Sequence, residues 1–496
     1  MKKFLSILLI VIMISTTFFA SCGFSPIPHI HTYTEWVLNT EPTCTQHGTL
    51  IRTCTYPDCP ECNFQPIYTE HNYVDGICIQ CKGSIAELFS KEYSSELPTF
   101  YVYTNGATIP DRSDPEYDNY AECEISLSSD NVQKLINETA KIRIRGTSSR
   151  WFAKKGYKLK FSSAYSLEEL PSSKKYNLLA SYPDPCKLRD YLALSISYTM
   201  NNNCDRYAPL PILSKVYIDD EYQGLYFLLD DVEDGKGKIE IADYTSNDVE
   251  IPFVLEMDTV AYQEGIEGVN YFALGTTDVF DYDGDGWTDL LYVIDSDDNL
   301  TTAQFNYVKN YVTDCRQLLV NGYINEFSKR VDLASFIDYF LLGELFRNTD
   351  MAGRSVYMYK LTTDSKLVFG PSWDFDYTCS RPYTLGPNVD YTLSNAKDRF
   401  TNYDWWKLFL DIPGALELVK ERYTYYLRDI YLHETNGAKD FYNFYETAIK
   451  DDASIWYSND VDDTNTLVTS NFNWTMDYFK LRIEMMDELF LIATTD

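Results

Sequence analysis

Asn348-Thr349-Asp350 and Trp373-Asp374-Phe375-Asp376 are the two segments of this sequence best equipped for chemistry. Clustered carboxylates and an amide oxygen repel one another unless a cation stands between them. Hard oxygen ligands of this kind suit Mg²⁺ or Mn²⁺, with phosphate oxygens completing the shell. The intervening sequence decides whether they meet. A helical pattern over Leu333 to Arg347 ends before the first segment, Ser355 to Lys360 reads as a strand, Thr362 to Ser365 as a turn, and Lys366 to Phe369 as the returning strand. Gly370-Pro371 then breaks the strand. A hairpin brings the chain back to its start, so Asp350 and Asp374 are expected side by side. The competing reading is that these Asx residues only cap and turn the chain.

A basic counterpart lies upstream. Arg143, Arg145, Arg150, Lys154, Lys155, Lys158 and Lys160 crowd into an otherwise acidic chain. Arg145-Gly146-Thr147-Ser148-Ser149 reads as a turn whose backbone N–H groups could face a phosphate, with Ser148 and Ser149 beside them and Lys155 and Lys158 placed to neutralise its charge. There is no GxGxxG. The commoner fate of such a charge run is a solvated strand face.

Two further clusters have metal-ligand spacing. Cys59-x2-Cys62 and Cys78-x2-Cys81 match a zinc ribbon, in which two tight turns each present two thiolates to one Zn²⁺. Cys44 and Cys54 are left over, and His29, His31, His47 and His71 lie in or beside the cluster. Either extra Cys could displace Cys59 or Cys62, or join a His in a second site. The alternative is a disulfide knot, since the chain carries an export signal. Asp281, Asp283, Asp285 and Asp289, with Gly286 for the sharp turn, match the start of a calcium loop. Tyr292 stands where an EF-hand places Glu, so a structural Ca²⁺ turn is expected, against a merely solvated acidic loop. Asp295, Asp297 or Asp298 could supply a further oxygen.

These groups need a scaffold. Phe100 to Tyr103, Cys123 to Leu127, Lys141 to Arg145 and Tyr157 to Phe161 read as strands, Leu188 to Met200 as a helix, and Ser214 to Ile218 with Tyr222 to Leu229 as a hairpin turning at Asp219-Asp220. Helical patterns follow over Thr301 to Val320, Leu333 to Arg347, Asp404 to Leu410, Ala415 to Arg428, Phe441 to Ala453 and Met476 to Ile492. A strand-rich half followed by a helical half makes an α+β protein with a cleft between the two. No internal repeat or long low-complexity tract appears.

The chain has 496 residues, enough for two or more units, and a formal net charge of −32, which excludes nucleic acid as a partner. Its 42 Tyr favour half-buried strands and carbohydrate-like or peptide surfaces, or reflect composition alone. Lys2-Lys3 followed by the apolar run from Phe4 to Ala20 is a secretory signal. Phe19-Ala20-Ser21-Cys22 resembles a bacterial lipobox, with Cys22 as the lipid-modified residue, against a plain signal peptide or an anchor helix. The expected organisation is a lipoprotein signal at 1–22, a Cys/His-rich module at 29–83 serving as a spacer, a main domain at 98–430 with the calcium-loop insertion at 281–292, and a helical extension of that domain at 431–496. The main domain's Cys123, Cys186, Cys204, Cys315 and Cys379 are odd in number, so at least one is expected as a free thiol.

Several segments, in order, resemble the CotH kinase family. They are Arg143-Ile144-Arg145-Gly146-Thr147-Ser148-Ser149, Lys154-Lys155-Gly156-Tyr157-Lys158-Leu159, Asn177-Leu178-Leu179-Ala180, Leu188-Arg189-Asp190, Gly224-Leu225-Tyr226, Asn348-Thr349-Asp350 and Gly370-Pro371-Ser372-Trp373-Asp374-Phe375-Asp376. The resemblance implies an atypical protein-kinase-like fold with a strand-rich N-lobe and a helical C-lobe. It implies Mg²⁺-dependent transfer of the ATP phosphoryl group to Ser or Thr of an extracytoplasmic or spore-coat protein, at a surface to which the membrane connects only through the lipid anchor. On this chain Asp350 resembles the catalytic Asp. Asp374 resembles the metal-binding Asp, with Asp376 competing and Asn348 beside them, and Lys155 or Lys158 resembles the nucleotide-facing Lys, with Arg145, Ser148 and Ser149 nearby. The order of helix, acidic loop, hairpin and second acidic loop is also that of protein kinases. Ser181-Tyr182-Pro183-Asp184-Pro185 carries two prolines where the family has a freer loop, and Asp190 stands where Asn is common. The other reading is a non-catalytic adhesion or assembly protein on the same fold.

Overall fold

The computed structural model describes residues 34–35, 37–40, 48–55, 62–67, 73–74, 77–78, 93–111, 119–129, 135–146, 149–258, 268–269, 271–274, 290–295, 299–348, 350–375, 378–379 and 404–492. Near the N-terminus, Val37–Thr40 (β1), Gly48–Thr53 (β2) and Cys62–Ile67 (β3) form an antiparallel sheet, and Tyr73–Val74 (β4) pairs with Ile77–Cys78 (β5). Among the expected zinc ligands, Cys62 opens β3 and Cys78 closes β5, while Cys59 and Cys81 lie outside the described residues. Cys22, the calcium-loop residues Asp281, Asp283, Asp285 and Asp289, and the site candidates Ser148 and Asp376 also lie outside them.

Alternation builds the first large element. In Ala121–Ser128 (β7) the odd positions, Cys123, Ile125 and Leu127, are buried, while Glu122 and Glu124 face outward. The same period runs through Thr99–Tyr103 (β6) and the start of Tyr157–Tyr165 (β9). With Leu135–Ile144 (β8), Ser173–Leu179 (β10), Ile212–Ile218 (β11) and Glu221–Asp230 (β12), these strands close into a barrel in the order β10-β12-β11-β6-β7-β8-β9. Only the β11–β6 pairing is parallel. Closure leaves no bare strand edge, and Phe100, Ile125, Ile142, Leu159, Tyr176 and Leu228 fill the interior. The β11–β12 hairpin turns at Asp219 and Asp220, both at positive φ (47° and 68°), the backbone a tight turn of this hand requires.

Leu188–Asn202 (α1) links β10 to β11 and is buried along most of its length. The two-proline segment before it is an anchor. The Asp184 carboxylate, fully buried, accepts from the Arg189 N–H at 2.7 Å, capping a helix whose own N-cap residue, Lys187, contributes no side-chain bond.

The second half departs from the helical expectation. Phe253–Met257 (β13), Tyr271–Leu274 (β14), Leu290–Ile294 (β15), Val356–Lys360 (β16) and Val368–Phe369 (β17) form a five-stranded sheet in the order β14-β15-β13-β16-β17. β13 and β15 are short, nearly continuous apolar runs buried on both faces, and such runs carry no period to announce them. Around the sheet lie Thr302–Val320 (α2), Ile324–Arg330 (α3), Leu333–Phe346 (α4), Asp404–Leu410 (α5), Ala415–Arg422 (α6), Arg428–Trp456 (α7) and Thr464–Phe490 (α8), with the π turn Tyr423–Leu427 joining α6 to α7. Among the described residues no helix is long and apolar enough to cross a membrane.

Every residue of α4 is buried. Each Leu or Phe so placed contributes roughly 1.5–3 kcal/mol. Its two acids are paired inside, Asp338 with Arg422 (2.6 Å) and Arg206 (2.5 Å), and Glu344 with Arg482 (3.1 Å). Removing one member of such a pair leaves a buried charge uncompensated, which fixes α4 against the chain on several sides. The residues that follow α4 are therefore held by a rigid support.

Candidate active site

The end of α4 positions both acidic loops. Arg347 stops the helix in the left-handed region (φ 50°), and Asn348, buried, accepts the Asp350 N–H on its side-chain oxygen at 3.0 Å. Asp350 opens a short turn whose carbonyl accepts from Gly353 and Arg354. Met351 folds back over Gly343 so closely that a Cβ there would overlap its sulfur, so the loop's return onto the helix requires glycine. The second loop is tied to the same place. β16 and β17 pair as a hairpin (Met358 opposite Phe369), the Cys379 N–H donates to the Phe346 carbonyl at 2.7 Å, and the Phe375 ring packs edge-on against Phe346 at 5.2 Å. Between these ties Asp374 stands exposed at φ 61°, with Ser355 Oγ 3.5 Å from its carboxylate.

Two buried tyrosines pack near the hairpin. Tyr339, whose hydroxyl reaches the Ser355 carbonyl at 3.3 Å, is pushed up from the phenol range by burial first and then by the charges of Glu256, Asp374 and Asp350. Tyr357, opposite Glu256 across the β13–β16 pair, is raised by burial and then by Glu256, Asp295 and Asp231. Asp295, which follows β15, is exposed. Glu256 and Tyr357 face each other across the β13–β16 pair, next to the strand that leads into the hairpin between Asp350 and Asp374.

The upstream basic cluster divides. Lys158 projects from the outside of β9 and pairs with Asp231 at 2.6 Å, whose other oxygen accepts from Asn177 at 2.8 Å. Burial alone would raise Asp231, but Lys158 and Asn177 hold it down to about 2. Arg145 lies over the Trp373 ring at 5.3 Å, beside Asp374. Lys155, the other candidate, donates to the Arg150 carbonyl at 2.7 Å, within its own loop. Ser149 stays in that loop too, its hydroxyl filling the space a Gly146 side chain would need. Arg143 and Lys160 both face the Tyr120 ring. Lys154 turns away altogether, into the protein's interior beside Asp452. Of the cluster, Lys158 meets the Asp231 carboxylate and Arg145 the Trp373 ring that precedes Asp374.

Sequence reasoning gave no site role to Asp190, Asp231 or Glu256, and named Asp295 only among the residues that could supply a further oxygen to the calcium loop. Asp190 is buried at the start of α1, accepts from the Ser181 hydroxyl, and is raised to about 6 by burial and by the nearby Asp184 and Asp374 carboxylates, against Arg189. Arg189 also donates to the Thr378 carbonyl at 3.2 Å, tying α1 to the loop after Asp374. The signal was present in Leu188-Arg189-Asp190, but nothing in sequence spacing pointed it toward Asp374.

Hard carboxylate oxygens with one amide oxygen, partly open to solvent, fit a cation that takes one or two protein carboxylates and completes its shell with phosphates. Among the described residues no group of three or more His, Cys, Asp or Glu side chains forms a complete metal cage. Among them, Cys123, Cys186 and Cys315 are free thiols.

A family profile described as CotH kinase protein matches residues 142–486, well over half of the chain. No curated protein matches it. The chain belongs to the CotH family.

Proposed function

We propose that this CotH family member transfers the γ-phosphoryl group of Mg-ATP to a Ser or Thr hydroxyl of an extracytoplasmic or spore-coat protein. The observation that carries the reading is the hairpin of β16 and β17 between the two acidic loops, with Asp350 tied to Asn348 at the end of α4 and the loop after Asp374 tied to the Phe346 carbonyl of the same helix; the Lys158–Asp231 pair supports it. Asp350, held by Asn348, accepts the proton of the acceptor hydroxyl. Lys158 and Arg145 bring positive charge to the nucleotide phosphates, and Asp231 fixes the Lys158 ammonium in place. Asp374, with Asn348 and the neighbouring Asp376, would hold Mg²⁺, which neutralises charge on the phosphoryl oxygens. Positioning and electrostatics supply the catalysis in such a site. The N-terminal signal ending at Cys22 supports display outside the cell on a lipid anchor. An unmodified mature N-terminus beyond Cys22 would remove that part of the reading.

The test is intact-mass measurement after incubation with ATP and Mg²⁺ or Mn²⁺, alone and with candidate acceptor proteins, beside Asp350→Asn. Phosphoryl additions that fall by about 10³-fold in the variant are expected. Equal addition in both proteins would remove Asp350 from the chemistry. No addition and no nucleotide binding would leave a surface-binding protein on the same fold.

A further inference from the structure

A cavity of about 320 Å³ lies behind the end of β12, where the chain leaves the barrel. Asp230 and Asp231 are consecutive, so their side chains leave the strand on opposite faces. Asp231 serves the cleft, and Asp230 lines the cavity. Asp230 is fully buried. One carboxylate oxygen accepts from Tyr207 at 2.5 Å and the other has no hydrogen-bond partner. Arg206, also buried, lines the same space. Its Nη2 is spent on Asp338 at 2.5 Å, while Nε and Nη1 have no hydrogen-bond partner, the Asp332 carboxylate standing 3.7 Å from Nη1. That distance is too long for a hydrogen bond. Buried polar groups are ordinarily satisfied, so an acceptor and two donors here are an invitation to a ligand that both donates and accepts.

Charge and shape narrow its chemistry. Glu169 and Asp205 also line the cavity, so with Asp230 its carboxylates outnumber Arg206 and Lys238. Lys238 is itself engaged by Glu233 at 3.0 Å and by Ser173. An anion would meet net repulsion, and a cation would meet two buried positive groups. The rings of Tyr198 and Tyr207 add flat apolar faces. We propose that this cavity binds a small neutral polyhydroxylated molecule of monosaccharide size, its hydroxyls donating to Asp230 and accepting from Arg206, at a site separate from the Asp350–Asp374 cleft.

Equilibrium dialysis of the full chain against radiolabelled glucose, galactose and N-acetylglucosamine tests it, with inorganic phosphate and acetate as anionic probes. Saturable binding of at least one sugar is expected. Asp230→Asn, which keeps the shape, and Tyr198→Ala, at a half-exposed position, should each weaken it by about tenfold or more, while Asp350→Asn leaves it unchanged. No saturable binding of any of the three sugars, undiminished binding in both cavity variants, or preference for phosphate or acetate would overturn the assignment.

Discussion

Two charged clusters in this molecule begin from neighbouring lysines and end in opposite conditions. Lys154 enters the interior, where its ammonium meets Asp452 at 2.6 Å and the Leu225 carbonyl, and lies over the Tyr226 ring. Lys187 reaches the same carboxylate at 3.1 Å, and the Leu225 N–H donates to it at 2.8 Å. All three side chains are shut off from solvent. The cluster locks the barrel and the approach to α1 onto α7. Lys158, four residues on, stays at the cleft, where its pair with Asp231 is partly open to solvent and further carboxylates crowd around it. The closed cluster carries surplus positive charge with no room for a partner. The open one carries surplus negative charge beside solvent, the condition a metal–nucleotide complex relieves. Charges that close on one another hold the fold, and charges left unbalanced at a cleft are free for chemistry.

Removing one charge from each cluster separates the two roles most sharply. Asp452→Ala strands two lysines in the interior and should lower unfolding free energy by about 3–5 kcal/mol in denaturant titration. If stability were unchanged, the closed cluster would not be the lock described. Lys158→Met should reduce phosphoryl transfer by about 10²-fold with a much smaller fall in melting temperature. A loss of stability rivalling that of Asp452→Ala would make the Lys158 pair structural too.

The pH dependence gives a finer contrast. One carboxylate facing two ammoniums leaves one positive charge in excess, and burial, the larger influence, draws Lys154 down to about 7 from 10.5. Between those values the unfolded chain keeps a proton that the folded protein has released, so stability rises with pH across that window. The penalty is fully present below about 7. Lys154→Met should flatten this rise in urea unfolding, and an unaltered slope would show that Lys154 is not its source.

The sequence made the barrel's alternating strands and the Asp219-Asp220 turn legible, because a period of two and a left-handed turn are local signals. The hairpin between Asp350 and Asp374 was legible too, and β16 and β17 form it. β10 was missed because Ser173-Lys174-Lys175 reads as polar loop, and β13 and β15 because buried strands lack alternation. The π turn at Tyr423–Leu427 and the interior Asn436-Gly437 disguised one long helix as two. Asp190, Asp231 and Glu256 stand on separate elements, and their partners Ser181, Lys158 and Tyr357 are set by tertiary packing. The division of Lys154 from Lys158 was equally hidden. It depends on Asp452, almost three hundred residues later.

The most direct test of the distinction between the clusters is the melting-temperature shift caused by Mg-ATP in the unaltered protein, Asp374→Asn and Lys154→Met. Ligand that binds only the folded state must raise its melting temperature. The expected result is a shift in the unaltered protein that Lys154→Met retains and Asp374→Asn loses. A shift kept by Asp374→Asn, or lost by Lys154→Met alone, would contradict the assignment of the open cleft as the nucleotide site.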